Sequence, residues 1–521
     1  MNATTGSAAQ TGDNPETTGP REQMLFPSGL DEVIGSVITG PDAKPFHGRV
    51  VAKDGHIVSV RPLATDLRPG LPLICPGFLD AHTHPLELGL EHVYVSLAPA
   101  RSIDEVLTLL AQRLRDGPQS GIMLGFNLEP DLLVESRFPT RQELDRVSNT
   151  VPILLYRVDG HSAVVNSKAF DAGLAAQDLD GCERDASGHL NGVLHGRAYE
   201  QTSERFKSRL EPSTVLRALE QAGWAAARAG VTTIAALVGN DGIDPGDWLL
   251  LLRGLAMLSV RAVPFVQTRR PELARRFRLP RLGGCLLIDG SFGSRTAALS
   301  TDYADEPGNR GISYFEDHEL LALLKRADGL RLQTAFHAIG DRAVEQLVRC
   351  HEQVGTRSDL RHRIEHAELL NQNLIDRIAG LGLVLCVQPA FETTWGGPNR
   401  MYAKRLGERW KQTNPYRSML RAGIKLAGGS DAPITRIDPL SGIAAAVNHP
   451  NPAERISPAE AMALFTTNGA YSLFLEDKVG RIEPGFDADI VLLDNDPRTT
   501  ATCRVLATYR AGMRIFPASE P

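Results

Sequence analysis

The stretch PGFLDAHTHP, from Pro76 to Pro85, decides how the rest of this 521-residue chain is read. It completes the apolar run LPLICPGFLD, whose lack of alternation predicts a strand buried on both faces of a parallel sheet. His82 and His84 close that run, two residues apart. Because alternate side chains of a strand share a face, both imidazoles point the same way. The pair therefore predicts two nitrogen ligands for one metal ion, with two ordinary histidines as the alternative.

Strand-like and helix-like segments alternate through the middle of the chain. The further strand candidates are GIMLGFNL, VPILLYRVDGH, VTTIAALVG, GCLLIDGS, LRLQTAFHAIGD, RHRIEHAELL, LVLCVQPAF and IKLAGGSDAP. Helical apolar spacing recurs between most of them, as in SIDEVLTLLAQRLRD, where Ser102 and Glu105 form a capping box. About eight strands between Leu73 and Gly429 predict an α/β fold, and favour a (β/α)8 TIM-like barrel over a doubly wound sheet.

The two ends of the chain are rich in short β segments broken by turn residues. They predict a small β-sandwich domain formed by both termini, over residues 24–75 plus 476–521, beside a barrel over 76–475. The polar, glycine-rich segment 171–196 predicts an insertion or lid. Residues 1–23 are rich in Thr, Gly, Pro and Asn, which predicts a disordered tail.

The composition and charge of the chain exclude several classes of protein and of binding partner. The chain is 42% hydrophobic and 23% charged with a net charge of −6, so nothing favours nucleic acid or an anionic membrane as partner. No apolar run reaches the ~18 residues of a membrane span. The six cysteines are scattered without a CxxC pair, which predicts reduced thiols in a cytoplasmic protein. We expect a small-molecule substrate, and a homo-oligomer is left open.

Four further polar residues share one kind of position. His161, His337, His366 and Asp431 each lie at or just past the end of an apolar run. The carboxyl ends of barrel strands meet on one face, so we expect these residues to join the histidine pair although they are far apart in sequence. Several imidazoles with one carboxylate suit a divalent ion, and Zn²⁺ is the expected one.

The motifs PGFLDAHTHP, FHAIGDRAV, RIEHAELL, GGSDAPI and GRIEPGFDADIVLLDNDP together resemble the metal-dependent amidohydrolase superfamily. The segments YRVDGHSAVVNSKAF and DGSFGSRTAAL are similar to its family 3 branch, which includes N-substituted formamide deformylases. The resemblance runs from about Val33 to Ile515. It implies a (β/α)8 barrel beside a small β-sandwich, and metal-dependent hydrolysis of carbon–nitrogen bonds.

The resemblance also implies roles for individual residues. It gives the metal ligands as His82, His84, His337, His366 and Asp431. Asp431 is expected to handle the proton of the hydrolytic water, and His337 or His366, if not bound to metal, to stabilise the oxyanion.

Other motif positions are less firmly assigned by the resemblance. His161, Asp289 and Arg295 are expected to bind substrate, with a structural role for His161 and an ion pair for Arg295 as alternatives. Asn166 also matches a motif position. Asp341 begins a predicted helix, so a helix cap is the preferred interpretation.

Two carboxylates beside the histidines are expected to support rather than bind. Glu365 points to the face opposite His366, which predicts packing or a hydrogen bond behind a ligand. Asp80 lies one strand step deeper than His82, which favours support over ligation.

One position departs from the family pattern. Relatives often carry a lysine four residues before the aspartate of DGS, and when carboxylated that lysine bridges two metals. Here the position holds Cys285, and no lysine lies between Leu273 and Ser300. Cys285 is either a thiolate ligand or a small buried residue beside a mononuclear site. The second interpretation is preferred, which favours one ion over two.

The expected reaction is metal-assisted hydrolysis of an amide, N-acyl or N-formyl bond other than a peptide bond, with Asp431 as general base and acid. A deaminase or cyclic-amide hydrolase is one alternative, because the same chemistry serves both. A non-hydrolytic metal-dependent lyase or a ligand-binding member is another.

Overall fold

In a computed structural model of the protein, the described residues are 29–64, 70–117, 120–239, 245–500 and 502–517. The predicted tail, residues 1–23, lies outside them. The strands in these ranges are β1 (Glu32–Val37), β2 (Phe46–Lys53), β3 (His56–Pro62), β4 (Leu73–Pro76), β5 (Phe78–Thr83), β6 (Val95–Ser96), β7 (Met123–Leu128), β8 (Ile153–Arg157), β9 (Ser162–Val165), β10 (Cys182–Arg184), β11 (Leu190–His195), β12 (Val231–Val238), β13 (Arg261–Val266), β14 (Arg281–Leu287), β15 (Gln333–Ala338), β16 (Arg363–His366), β17 (Val384–Val387), β18 (Lys425–Gly428), β19 (Ile490–Leu493), β20 (Val505–Arg510) and β21 (Met513–Phe516).

The helices of the same ranges are α1 (Pro85–Val93), α2 (Ile103–Arg115), α3 (Arg141–Asp145), α4 (Ser167–Asp171), α5 (Gly196–Lys207), α6 (Pro212–Arg228), α7 (Pro245–Ala256), α8 (Pro271–Arg276), α9 (Asp317–Gly329), α10 (Asp341–Val354), α11 (Gln372–Leu381), α12 (Pro389–Trp395), α13 (Met401–Leu406), α14 (Tyr416–Arg421), α15 (Pro439–Val447), α16 (Pro458–Leu464) and α17 (Thr467–Ser472). Within the part of the chain described, no helix is long and apolar enough to cross a membrane.

The central sheet is parallel and is built, over the described ranges, from eight strands in the order β5, β12, β13, β14, β15, β16, β17 and β18. The backbone N–H of Asp431, beyond β18, donates to the carbonyl of His82 at 2.8 Å, and Thr83 pairs with Ala432. A glycine permits this approach, because a Cβ at Gly429 would lie 2.6 Å from the Cβ of His82. The last strand thus reaches the first, and the predicted (β/α)8 barrel is confirmed.

Helix α10 shows how a helix with periodic apolar residues packs against the barrel. It follows β15 and buries Val344, Leu347 and Val348 on one face. Apolar residues three and four positions apart form such a face, which packs on a sheet while polar residues remain outside. The helix ends at Gly355, whose φ of 68° suits the left-handed position of a helix C-terminus. The chain then returns to the barrel at β16.

The two ends of the chain form one sheet, in the order β21, β20, β19, β4, β1, β2 and β3. Residues from its distant parts share one apolar cluster: Val50 and Ile57 from β2 and β3 pack in the same core as Ala507 and Tyr509 from β20. The sheet therefore folds over its own core, as a sandwich does. This arrangement matches the small β domain predicted for both termini.

A further sheet, in the order β10, β11, β9, β8, β7 and β6, corrects the strand assignment. The sequence predicts GIMLGFNL and VPILLYRVDGH as barrel strands, but they form β7 and β8 of this sheet. The predicted lid, residues 171–196, contributes β10 and β11 to it, and β13 replaces the misassigned segments in the barrel although its sequence was not among the candidates. Short apolar strands look alike in sequence whichever sheet they join, because their partners are distant.

The apolar run LPLICPGFLD contributes strands to two sheets. β4 pairs with β19 and β1 of the terminal sheet, whereas β5 enters the barrel beside β12. Gly77 separates them, and a Cβ there would lie 2.4 Å from Cγ2 of Thr232. The apolar run read as one strand is therefore two strands joined at a glycine that passes close to β12.

Candidate metal centre

Five predicted ligands converge at the carboxyl end of the barrel. The ring centroids of His82 and His84 are 5.4 Å apart, those of His82 and His366 are 4.9 Å apart, and those of His366 and His337 are 4.5 Å apart. Oδ1 of Asp431 lies 3.2 Å from Nε2 of His82 and 3.1 Å from Nε2 of His84. The strand-end rule therefore placed all five side chains correctly.

In each of three histidines, one ring nitrogen makes a hydrogen bond and the other nitrogen is directed at the centre. Nδ1 of His82 donates to Oε2 of Glu365 at 2.6 Å, and Nδ1 of His366 donates to Oε1 of Gln388 at 2.7 Å. Nε2 of His337 donates to the carbonyl of Gly290 at 3.1 Å. Since these partners accept, the second nitrogen of each neutral ring carries a lone pair, which is the form that binds metal.

Glu365 is itself held by a buried ion pair. Nε and Nη2 of Arg363 donate to its two oxygens at 2.7 Å each, and Nη2 also donates to the carbonyl of Ala81 at 2.6 Å. Burial raises the pKa of Glu365, but Arg363 and His82 outweigh it and the pKa is lowered. The expected hydrogen bond behind a ligand is thus present at His82. No motif or strand-end position singles out Arg363 in the sequence.

Asp80 also takes the supporting position expected of it. Its Oδ1 accepts from the backbone N–H of His82 at 3.1 Å and from that of Ser430 at 3.0 Å. The carboxylate is fully buried and joins the end of β5 to the loop that carries Asp431.

Three buried atoms at the centre fit a divalent ion. Nε2 of His82, Nε2 of His366 and Oδ1 of Asp431 have no hydrogen-bond partner among the described residues. They lie within 4.8 Å of one another. Leaving buried polar atoms unpaired is costly, and two imidazole nitrogens with a carboxylate oxygen are a common ligand set for zinc and similar ions. The residues present therefore fit the ion that the sequence predicts.

The electrostatics of the centre favour added positive charge. Burial raises the pKa of Asp431, but His82 and His84 hold it well below its usual range. Burial lowers the pKa of His84, but Asp431 and Cys285 raise it to about 10. A site that draws protons onto its histidines in this way also favours a cation in their place.

Cys285 belongs to this centre. Its sulfur lies 3.8 Å from Nδ1 of His337 and within 4.8 Å of ligand nitrogens of His82 and His84. Burial raises the pKa of the thiol, but His337, His366 and the other two histidines hold it well below its usual range. The sequence predicts Cys285 as a thiolate ligand or, preferably, as a small buried residue beside a mononuclear site, and the structure places its sulfur among the predicted ligand atoms.

Two strand ends near the centre have left-handed backbone. The φ angles are 71° at His366, 49° at Ala367 and 57° at Asp431. Side-chain-bearing residues rarely adopt such angles, and these conformations cluster at functional sites where a side chain must be aimed. Here the turns direct His366 and Asp431 towards the same point.

A pocket opens over the centre. Its lining includes His337, His366 and Asp431 of the centre. The other lining residues include four aromatic ones, Phe292, Phe391, Trp395 and Tyr402, and the polar or charged residues Arg157, Asp159, His161 and Glu368. An apolar enclosure with a few convergent polar groups is typical of a small-molecule site.

Comparison with known proteins shows which family has this combination of fold and site. A family model described as "Amidohydrolase family" matches residues 73–516. The chain belongs to the amidohydrolase family. It is 28% identical over 533 residues to Protein LONG AFTER FAR-RED 3 of Arabidopsis thaliana, covering 93% of this chain and 91% of that one. It is 27% identical over 477 residues to the N-substituted formamide deformylase of Arthrobacter pascens, covering 84% and 88%.

A solved structure agrees with this assignment. An uncharacterized metal-dependent hydrolase from Pyrococcus horikoshii superposes with a TM-score of 0.72 at 26% identity, covering 90% of this chain and 98% of that one. Membership of the amidohydrolase family supports the general function, which is hydrolysis of amide-type bonds with a divalent metal.

Of the substrate-binding residues predicted for this amidohydrolase, only His161 reaches the pocket. It lies in the turn between β8 and β9, so the six-stranded sheet supplies it, and its ring centroid is 4.9 Å from that of His337. Burial, with the charge of His337, lowers its pKa to about 4. His161 is therefore neutral at neutral pH and able to donate one hydrogen bond.

Asp289 and Arg295 do not line the pocket, which corrects their predicted role. Asp289 is fully buried and accepts from the backbone N–H groups of Ala298, Ile339 and Gly340 at 2.7–2.9 Å. Nη2 of Arg295 pairs with Asp305 at 2.9 Å, the ion-pair alternative. Both residues hold the loops beside the pocket.

Asn166 and Asp341 have structural roles as well. Asn166 caps α4, and its Oδ1 accepts from the backbone N–H of Ala169 at 3.1 Å. Asp341 is the first residue of α10 rather than its cap, which is Gly340, and it accepts from the backbone N–H of Ser300 at 2.9 Å. The preferred cap interpretation of Asp341 is thus wrong.

Sequence reasoning missed several pocket residues of this amidohydrolase. Arg157 donates to Oδ2 of Asp159 at 2.6 Å, and the Tyr402 hydroxyl donates to Glu368, whose pKa burial raises to about 8. Arg157 and Gln388 end apolar strands just as the histidines do, so the same signal was available for them. Glu368 lies beyond its strand and carries no such signal.

Proposed function

We propose that this amidohydrolase hydrolyses a carbon–nitrogen bond of a small molecule, an N-acyl or N-formyl amide rather than a peptide bond, with Zn²⁺ as its ion. The observation that carries the proposal is the position of Asp431. One of its oxygens lies beside the metal-facing nitrogens of His82 and His84, and its side chain also borders the pocket. A carboxylate in that position contacts both the ion and the reacting atoms.

In this proposal His82, His84, His337, His366 and Asp431 hold the ion. A divalent ion bound there supplies Lewis acidity, which polarises an amide carbonyl and makes water acidic near neutral pH. Asp431 accepts a proton from the attacking water and returns it to the leaving nitrogen. His161, neutral and directed into the pocket beside His337, donates a hydrogen bond to the developing oxyanion.

The pocket wall supports an apolar substituent on the substrate. Phe391 and Trp395 lie with ring centroids 4.9 Å apart, and Phe391 stacks with His366 at 6.1 Å. An aromatic surface that begins at a metal ligand suits an apolar group attached next to the scissile bond. The name of the Arthrobacter pascens relative, an N-substituted formamide deformylase, agrees with a linear amide carrying such a group.

The test is a substrate panel with zinc-loaded protein, followed by mass spectrometry of the products. The panel contains N-formyl and N-acetyl derivatives of benzylamine, a cyclic diamide and an amino-substituted heterocycle. Release of free amine and carboxylate from the linear amides supports the proposal. Ammonia from the heterocycle, ring opening of the cyclic diamide alone, or binding of a panel member without any product contradicts it.

Asp431→Asn is the inactive variant for this assay, because it keeps the shape of the side chain while removing the base. Asp359→Asn is the matched control, since that aspartate pairs with Arg357 on the exposed surface. We expect turnover of the linear amides to survive the second change and to be lost with the first. Near-normal turnover in Asp431→Asn would remove Asp431 from the proposed chemistry.

A further inference from the structure

One short helix, α12, carries two of the aromatic residues of the pocket. Phe391 and Trp395, here called the aromatic wall, both line the pocket. They are four residues apart, and residues at that spacing lie on the same side of a helix. The helix begins directly after Gln388, whose Oε1 accepts from Nδ1 of His366 at 2.7 Å. The start of α12 is therefore fixed to the centre, and the position of Trp395 at its other end depends on further contacts.

Glu392 makes those contacts in the middle of α12. The residue is 1% exposed, and its Oε1 accepts from Oγ1 of Thr413 at 2.7 Å and from Nδ2 of Asn414 at 2.8 Å. Beside its other oxygen, a Cβ at Gly396 would lie only 1.9 Å from Oε2. Gly396 follows the last residue of α12, so the lack of a side chain there lets the end of the helix close over the carboxyl group.

The segment that receives Glu392 is itself joined to the pocket. The backbone N–H of Asn414 donates to the carbonyl of Glu368 at 2.7 Å, and Thr413 pairs with Leu369. Glu368 lines the pocket and follows the predicted ligand His366 by two residues. Glu392 therefore connects the helix of the aromatic wall to the loop that leaves the metal centre.

The surroundings of Glu392 favour its neutral form. Burial raises its pKa to about 7, against the hydrogen bonds from Asn414 and Thr413. Its Oε2 has no hydrogen-bond partner among the described residues, which is costlier for a charged carboxylate than for a neutral acid. The titratable groups that interact with it from neighbouring elements are Glu368, Tyr402, Tyr416 and His449. Burial lowers the pKa of His449 to about 4, so this set supplies no cation and a glutamine should be able to replace Glu392.

We propose that Glu392 is a positioning residue that fixes the aromatic wall and thereby determines the preference of the pocket for a bulky apolar substituent next to the scissile bond. This inference rests on the proposed function, because the substituent belongs to the linear amide. Glu392 acts through Phe391 and Trp395 and does not contact the substrate. Its removal should therefore weaken the binding of amides with a bulky apolar group and leave the hydrolysis of small amides unchanged.

Steady-state kinetics of zinc-loaded protein with N-benzylformamide and N-methylformamide test this role. In Glu392→Ala we expect KM for N-benzylformamide to rise about tenfold, with KM for N-methylformamide and kcat for both amides within about twofold of the unaltered values. Glu392→Gln keeps the Oε1 acceptor and the shape of the side chain, so it should restore the KM of the unaltered protein. Glu408→Ala is the matched control, because Glu408 pairs with Lys411 on the exposed surface.

Thr413→Val is a milder second variant, which decides the question if circular dichroism shows that Glu392→Ala is not folded. It keeps the shape of the side chain and removes only the hydroxyl that contacts Oε1 of Glu392. It should raise KM for N-benzylformamide in the same direction by a smaller factor. Unchanged KM for N-benzylformamide in the folded variants overturns the inference. Equal rises in KM for both amides, or a loss of kcat, also overturn it, because they indicate a general structural role.

Calorimetric binding of benzylamine separates this inference from the proposed function. If the unaltered protein hydrolyses neither amide, the proposed function fails and the aromatic wall is judged by binding alone. Weaker binding of benzylamine to Glu392→Ala than to the unaltered protein and to Glu392→Gln supports the inference. Equal binding to all three proteins, or no binding to any of them, overturns it.

Discussion

Two pairs of buried histidines lie at opposite ends of the same barrel strand, β16. His82 and His366 meet at its carboxyl end, with ring centroids 4.9 Å apart, and His351 and His362 meet at its amino end, 5.4 Å apart. All four side chains are almost completely buried. Burial alone therefore does not separate the proposed metal centre from an ordinary part of the core.

The difference lies in the partners of each pair. Nδ1 of His82 and Nδ1 of His366 are fixed by Glu365 and Gln388, and their free nitrogens face Asp431. At the other end, the hydroxyls of Thr356 and Thr334 contact the Nδ1 atoms of His351 and His362 at 2.7 Å each. Within the described residues, no metal-holding group includes His351 or His362.

This comparison shows what distinguishes the predicted ligands from other buried histidines. A carboxylate or amide behind the ring fixes its tautomer, and a second carboxylate in front supplies negative charge for a cation. The pair of His351 and His362, here called the distal pair, contacts threonine hydroxyls and, at His362, the backbone N–H of Thr334, with no carboxylate among these partners. We expect its rings to be neutral and to serve packing. The following changes test whether this division is correct.

Replacement of Asp431 should have the largest effect. General acid–base groups contribute on the order of 10²–10⁴-fold to rate, so Asp431→Asn should lower kcat by roughly 10³-fold while the protein stays folded. The distal counterpart, His362→Asn, should change kcat less than about twofold. Steady-state kinetics on a linear amide measure both. Comparable losses of kcat in the two variants would mean that the ends of β16 do not differ in function.

Removal of the ion should have the second-largest effect. An ion present at 100 times its dissociation constant stabilises the folded state by ~2.7 kcal/mol, so chelation should lower the thermal unfolding midpoint and abolish hydrolysis. Zinc should restore both. In His82→Ala, chelator and zinc should no longer move the midpoint, whereas in His351→Ala they should move it as in the unaltered protein. Equal responses in both variants would contradict the assigned location of the ion.

Neutralising the carboxylate behind His82 should have an intermediate effect. Loss of a partner behind a ligand typically weakens metal binding 10–100-fold, and Glu365→Gln removes the charge without changing the shape. Glu352→Gln is the surface control, because Glu352 pairs with Arg377 on the outside of the barrel. Competition with a chelator of known affinity measures the change. Unaltered metal affinity in Glu365→Gln would show that Glu365 only stabilises Arg363.

The distal pair should affect stability rather than activity. Burial lowers the pKa of His362 to about 4, and burial together with the charge of His362 lowers that of His351 well below its usual value. When the pKa of a histidine is lower in the folded state than in the unfolded state, its neutral form stabilises the folded protein. This stabilisation is complete above the unfolded pKa of about 6.5 and is lost as the pH falls towards the folded pKa. For His362 the loss between pH 7.5 and pH 5 should be on the order of 2 kcal/mol.

Urea unfolding at the two pH values measures this loss. His362→Asn, which does not titrate, should show a smaller decrease in the free energy of unfolding over that interval than the unaltered protein. Identical pH dependence in His362→Asn and the unaltered protein would contradict the assignment of a neutral, packing role to the distal pair.

Sequence alone predicted which side chains meet at the centre, because each one ends an apolar run and barrel strands end on one face. The strand-end position selected His366 rather than His362, which lies four residues earlier in RHRIEH, but it did not predict the partners of either residue. Their partners Gln388 and Thr334 come from neighbouring strands, and no local signal reports such contacts. Asp289 was misassigned for a related reason, since a motif residue that holds backbone looks the same in sequence as one that holds substrate.

Prediction of the fold from the sequence was limited in the same way. Alternation of strands and helices predicted the barrel, but β7 and β8 were placed in it because an apolar run does not reveal its neighbours in space. His161 still reaches the pocket over the centre, as its predicted substrate-binding role requires, although the six-stranded sheet rather than a barrel strand supplies it. The position of a polar residue after a strand was therefore more informative than the identity of the sheet.

The most direct test of the central claim is a crystal structure of zinc-loaded protein with data collected at the zinc absorption edge. The account predicts an anomalous peak about 2.0–2.2 Å from Nε2 of His82, with His84 and Asp431 around it. A fully loaded crystal with no peak among these atoms, or with its only peak beside His351 and His362, would contradict the account.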